Sequence, residues 1–111
     1  MKVIITNTAE CQIATTANYI EQEWGRAYKI KFRQKIQNAI KLLRQNPNLG
    51  AKEPLLIQYA QQFRSIVATQ YNKIIYLVND DQIEIVALWD VRREPAKLAN
   101  ELYAEINDIQ E

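Results

Sequence analysis

Guanidinium groups near strand ends can grip phosphate or carboxylate through a planar fork of N–H donors. Arg92 and Arg93 stand side by side where one run of strand formers ends, and Arg64 stands inside another such run. Lys52 lies in the irregular stretch before them, and Tyr71 offers a ring on which a base could stack. A further row of cations, Arg26, Lys29, Lys31, Arg33, Lys35, Lys41 and Arg44, has no acid between its members. Each group also has a plainer reading. Arg92 and Arg93 could pair with Asp90, Glu94 or the acidic final segment, Arg64 could be an outward-facing strand arginine, and the cation row could be a solvated helix face. Tyr71 and Tyr76 fit a core role as well as a binding one, and Trp24 and Trp89 read as core.

Several chemistries are excluded by composition. The chain has no histidine and one cysteine, so neither a zinc site nor an internal disulfide is expected. No base stands ready to activate a thiol, and Cys11 reads as a plain buried or half-buried side chain on a helical face. No cofactor and no metal are expected. Apolar runs of five residues, Ile74 to Val78 and Ile85 to Trp89, are too short for a membrane span, and the opening Met1–Thr6 is too short for a signal peptide. The expected location is the cytoplasm. Net charge is +1 but uneven, +5 over residues 1–50 and −4 over residues 51–111. Such a chain is not a generic polyanion binder, yet it can carry a basic face.

The elements that must position these residues follow from spacing. The 111 residues suit one domain, 1–111, without repeat or linker. Val3–Ile5 is a short strand, closed by a turn or cap at Asn7-Thr8. Ile13, Ala17, Ile20 and Trp24 form a helical stripe interrupted at Gly25, and Tyr28, Phe32, Ile36, Ile40 and Leu43 form the stripe of a longer helix. Asn46-Pro47-Asn48-Leu49-Gly50 ends that helix, so the pair reads as an antiparallel hairpin. Residues 50–62 read as a loop with a strand edge at most. Phe63–Thr69, Lys73–Asn79 and Ile83–Asp90, joined by short turns, form a three-stranded antiparallel meander. Pro95 opens a last helix with Leu98, Leu102, Ile106 and Ile109 on one side. The fold class is α+β: N-terminal strand, helical hairpin, three-stranded antiparallel meander and C-terminal helix. The hairpin must cover one sheet face, leaving the other available apart from what the last helix covers.

The ordered set Phe63-Arg64-Ser65-Ile66-Val67, Tyr71-Asn72-Lys73-Ile74-Ile75-Tyr76, Asp80-Asp81 and Ile83 to Trp89-Asp90-Val91-Arg92-Arg93-Glu94-Pro95 resembles toxins of the RelE/ParE family. Trp24-Gly25 between the helices and the Asn46–Gly50 segment after them fit the same pattern. The resemblance implies the toxin of a type II toxin–antitoxin system, of the kind linked to plasmid stabilisation, held inactive by an antitoxin whose C-terminal segment wraps round it. It implies use of the concave sheet side, the meander and the C-terminal segment.

RelE-like members cut messenger RNA on the ribosome, and ParE-like members inhibit DNA gyrase. As a RelE-like endoribonuclease (mRNA interferase) the chain would use Arg64, Arg92 and Arg93 catalytically, to stabilise charge on the scissile phosphate. As a ParE-like inhibitor it would present Arg64, Arg92, Arg93, Lys52 and Tyr71 to its target. In both cases Leu98, Leu102 and Ile106 would face the antitoxin. The RNA-cutting pattern carries a histidine where this chain has Asp90, and a later tyrosine where it has Leu98 and Ala99. Acid–base cleavage needs such groups, so the sequence leans towards the gyrase-directed branch. A third reading is a non-toxic homologue that only binds its antitoxin.

Overall fold

The computed structural model describes residues 1–107. Strand β1 (Lys2–Ile5) leads into α1 (Asn7–Trp24), whose cap is Thr6: its hydroxyl accepts the Ala9 N–H at 3.2 Å. The expected cap at Asn7-Thr8 therefore sits one residue earlier. α1 passes to α2 (Arg26–Gln45) through Gly25 alone. Its φ of 97° is a left-handed value that L side chains rarely adopt, so one residue suffices to reverse the chain.

After α2 come β2 (Ala51–Lys52), a single 3-10 turn at Pro54–Leu56, β3 (Arg64–Val67), β4 (Asn72–Val78) and β5 (Gln82–Asp90). The strands form one mixed sheet in the order β1-β5-β4-β3-β2, with β1 parallel to β5 and the other pairings antiparallel. The expected meander is its centre. The stretch read as a loop with a strand edge supplies β2, whose two residues are too short to show a periodicity. The final helix is two pieces, α3 (Ala96–Glu101) and α4 (Tyr103–Asn107). Ile109, expected on its apolar side, lies outside the described residues.

Each face of the sheet carries its own core. Phe32, Ile36, Leu43, Ile74, Tyr76, Ile83, Ile85 and Leu88 pack on the hairpin side. Leu56, Phe63, Ile75, Val86, Ala87, Trp89, Leu98 and Leu102 pack on the other. The second face is therefore not the available surface expected from the sequence. The Pro54–Leu56 turn and α3 cover it, because Leu56 and Leu98 each bring an apolar side chain onto Trp89 and its neighbours.

Strand β5 changes phase midway. Ile75 pairs with Ala87 but Tyr76 pairs with Ile85, which leaves Val86 as an extra residue, a β-bulge. Ile83 and Ile85 face the hairpin before it, whereas Leu88 does so after it. Asp90, two residues beyond Leu88, consequently leaves the sheet on the hairpin side.

The segment between α2 and β3 is fastened by three polar side chains. The buried Tyr76 hydroxyl accepts the Gly50 N–H at 2.9 Å and donates to the Pro47 carbonyl at 2.9 Å. Arg64 donates from Nη1 to the Gly50 carbonyl. Glu53 is buried, accepts from Ser65 Oγ and the Leu55 N–H at 2.8 Å each, and forms an ion pair with Lys73. Burial, the largest single influence on Glu53, pushes its pKa up. The hydrogen bonds from Lys73, Leu55 and Ser65 outweigh it and hold the carboxyl below its ordinary value.

Candidate target-binding site

The five residues expected to meet a target or its phosphate, Arg64, Arg92, Arg93, Lys52 and Tyr71, do not form one cluster. Lys52 and Arg64 are register partners on β2 and β3, and Arg64 in turn pairs with Tyr76 on β4. Arg92 and Arg93 follow Asp90, which pairs with Asn72. Four residues of β4 separate the two levels, about 13 Å at the usual strand rise. By register Arg64 therefore stands at a different level of the sheet from Arg92 and Arg93. The expectation of three converging guanidinium groups is corrected: Arg64 is half-buried and held by the Gly50 carbonyl at the far end of the sheet.

Arg92 does meet Tyr71. Its guanidinium lies 4.0 Å from the ring centroid and grips Asp90 with Nε at 3.0 Å and Nη2 at 2.8 Å. Asp90 Oδ1 also accepts the Arg92 N–H at 2.9 Å, and the Val91 N–H reaches the Tyr71 carbonyl at 2.9 Å. The turn carrying Tyr71 is set by Thr69, whose hydroxyl accepts the Tyr71 and Asn72 N–H groups and donates to Asn72 Oδ1 at 2.8 Å. Ring, guanidinium and carboxylate are thus fixed in place before any partner arrives. Arg92 holds Asp90 below its ordinary pKa, chiefly through that side-chain hydrogen bond, and Asp90 raises Arg92 in return. An ionised carboxylate with both oxygens engaged is a poor substitute for a histidine that must take and return a proton near neutral pH.

Arg93 turns the other way. It is paired with Glu101 and lies 4.9 Å from the centroid of the Trp89 ring, on the side of the second core. Gln12 completes this joint: its Nε2 donates to Glu101 Oε1 at 2.9 Å and its Oε1 accepts the Leu88 N–H at 2.8 Å. β1 has ended by that point, so a helix side chain takes over the free edge of β5. Arg93 therefore anchors α3, the plainer of the two readings open to it.

The helix residues expected to face an antitoxin divide as well. Leu98 and Leu102 are fully buried in the second core, so they present no surface while α3 stays docked. Ile106 is half-buried and packs at the edge of that core.

An open groove of about 850 Å³ lies between the tip of the hairpin and the 69–72 turn. Tyr19, Trp24, Tyr28 and Tyr71 line it together with Lys31, Lys35, Asp90 and Arg92. Trp24 is 60% exposed, against the expectation that it is core, and Tyr71 is 43% exposed. Cys11, expected to be at least half-buried, is exposed. Trp24 is the last residue of α1, beyond the sheet residues that cover the earlier part of the stripe. Its position next to Gly25 was the available signal: an apolar residue at a helix end need not reach the core that the middle of the helix reaches. Among the described residues no helix is long and apolar enough to cross a membrane, and no group of His, Cys, Asp and Glu is placed to hold a metal.

Comparison with known proteins agrees with this architecture. No curated protein matches the sequence. Among solved structures, a chain of the chromosomal ParDE toxin–antitoxin system of P. aeruginosa is 21% identical, with a TM-score of 0.68 over 82% of this chain and 96% of its own. The YoeB dimer of Staphylococcus aureus is 18% identical, with a TM-score of 0.53 over 78% of this chain and 92% of that one. A YoeB/ParE toxin from Agrobacterium tumefaciens is 17% identical, with a TM-score of 0.53 over 81% and 98%. At these identities the likeness shows a shared fold. The family described as ParE toxin of type II toxin-antitoxin system, parDE, matches residues 3–95, from β1 to the start of α3. The chain belongs to the ParE toxin family of type II toxin–antitoxin systems.

Proposed function

We propose that this toxin arrests growth by binding a macromolecular target in the cytoplasm, DNA gyrase in the ParE manner, without chemistry of its own. The observation that carries this reading is the separation of Arg64 from Arg92 and Arg93 along β4. A phosphate-cleaving site needs its charges to converge on one phosphate. Here Arg64 fastens the Gly50 segment and Arg93 fastens α3, whereas Arg92 and Tyr71 form a pre-ordered contact patch. Preorganised arginine and aromatic groups are the usual anchors of protein interfaces. The antitoxin is assigned to the C-terminal end near Ile106, since Leu98 and Leu102 are reached only if α3 lifts.

The test is a supercoiling assay with purified gyrase and toxin. Inhibition is expected, and Arg92→Ala should raise the half-inhibitory concentration by roughly tenfold, the scale of an interface anchor. Undiminished supercoiling at saturating toxin removes gyrase as target. Codon-positioned cuts in messenger RNA after induction would instead establish the RelE-like endoribonuclease. Unimpaired growth on induction without antitoxin would identify a non-toxic homologue.

A further inference from the structure

Exposed aromatic rings are unevenly distributed. Among the described residues Tyr19, Trp24, Tyr28, Tyr71 and Tyr103 are exposed, and four of these five line the one groove at the hairpin tip. Tyr19 and Trp24 stand edge to face with centroids 5.9 Å apart, so they offer ring surfaces at different angles. Concentrated apolar surface of this kind on a soluble domain marks a contact site.

The charges around the rings are mostly positive. Lys31 lies 5.5 Å from the Tyr28 ring centroid, Arg92 lies over Tyr71, and Lys35 follows one turn along α2 from Lys31. The one acid lining the groove, Asp90, is neutralised by Arg92. The remaining cations of α2, Arg26, Lys29, Arg33, Lys41 and Arg44, lie on other sides of the helix at the helical repeat, so the groove's own cations are Lys31, Lys35 and Arg92. Rings flanked by cations are what a single nucleic-acid strand recognises: bases stack on the rings and phosphates meet the charges. A folded apolar partner would have no use for the uncompensated charge of Lys31 and Lys35. A duplex keeps its bases stacked internally and could use the cations alone.

We propose that this groove binds single-stranded nucleic acid, with bases stacked on Trp24 and Tyr28 and the backbone held by Lys31, Lys35 and Arg92. The inference does not depend on the gyrase reading, because it concerns binding to isolated strands without gyrase or ribosome.

The probe is a fluorescein-labelled oligo-dT of about 12 nucleotides, a length within the usual site sizes, titrated with the full chain and followed by anisotropy. Trp24 emission is read in parallel, the other tryptophan, Trp89, being buried. Saturable binding with quenching of Trp24 is expected. With about two phosphates neutralised by Lys31 and Lys35, log affinity should fall against log salt with a slope of about −1.4. Trp24→Ala and Tyr28→Ala should each weaken binding by roughly fivefold or more, and both side chains are exposed enough for the fold to persist, as circular dichroism would verify. Tyr103→Ala, outside the groove, should change nothing. Lys31→Glu with Lys35→Glu should flatten the salt slope. The proposal is overturned by absence of binding at low salt, by equal affinity for a duplex of the same length, by unchanged Trp24 emission on saturation, or by a polyglutamate peptide competing as well as the oligonucleotide.

Discussion

The two ends of the sheet use the same residue types for opposite purposes. At the end near Gly50, an arginine and a tyrosine turn inward: Arg64 and Tyr76 give their polar atoms to the Gly50 and Pro47 backbone. At the end near Tyr71, an arginine and a tyrosine stack on each other and remain open to solvent. An arginine on a strand end is thus not a site by its type. The difference lies in whether backbone groups nearby need satisfying. The irregular segment between α2 and β3 leaves carbonyls and N–H groups under cover, and these recruit Arg64, Tyr76 and Glu53. The Thr69–Asn72 turn satisfies its own backbone locally and leaves Arg92 and Tyr71 available.

This contrast predicts large stability effects where side chains fasten the segment between α2 and β3, and small ones at the Arg92–Tyr71 patch. Lys73→Met should cost about 3 kcal/mol in urea unfolding, because it leaves the Glu53 carboxylate buried without its cation. The same joint gives a pH dependence. Glu53 is held below its ordinary pKa when folded, so its stabilisation is present above the unfolded value, about 4.3, and is lost as pH falls through the folded one. Unfolding free energy should therefore drop on acidification below about pH 4.3, and Glu53→Gln should reduce that slope. An unchanged slope would mean that the pair is not what fastens the segment.

Gly50→Ala comes next. A Cβ there would sit 2.5 Å from the Ser65 carbonyl, 2.8 Å from the Tyr76 hydroxyl and 2.9 Å from Ile66 Cγ2. Backbone cannot give way as a flexible side chain can, so a loss of about 2–3 kcal/mol is expected, read as a lower melting temperature. Tyr76→Phe keeps the ring but strands the Gly50 N–H under cover, for about 1–2 kcal/mol by the same measurement. At the other end, Arg92→Ala should leave the melting temperature unchanged while weakening target inhibition. A melting shift as large as that of Tyr76→Phe would erase the distinction between the two ends.

Much of the fold was legible in the sequence because it is periodic. The stripes Ile13–Ile20 and Phe32–Leu43 and the short apolar runs of the meander carry their own signal, and Gly25 and Asn46–Gly50 mark the breaks. What was not legible depends on contacts between segments without a period. Leu56 lies in a single turn after Pro54, yet it helps to close the second face of the sheet. Arg64 looks the same from sequence whether it faces a phosphate or the Gly50 carbonyl fourteen residues away. The pairing of Arg92 with Asp90 was among the alternatives, since two residues of separation bring them within reach. The placement of Tyr71 beneath that arginine needed the turn geometry. The groove at the hairpin tip was missed altogether, because Tyr19 sits off the apolar stripe and Tyr28 and Trp24 were counted as core.

The extra residue at Val86 decides which side chains the far half of β5 shows to each face. Upstream of it β5 obeys one alternation, and downstream it obeys the inverse, so the strand works as two half-strands spliced out of step. Removing Val86 would heal the alternation and leave Leu88 and Asp90 on their present face, since Ile85 and Ala87 already lie on opposite faces. Pairing the same residues straight through, without the bulge, would instead rotate everything after Val86 by half a period and turn Asp90 away from the hairpin. The patch formed by Arg92 and Tyr71 is bound to that splice as much as to the identity of its residues.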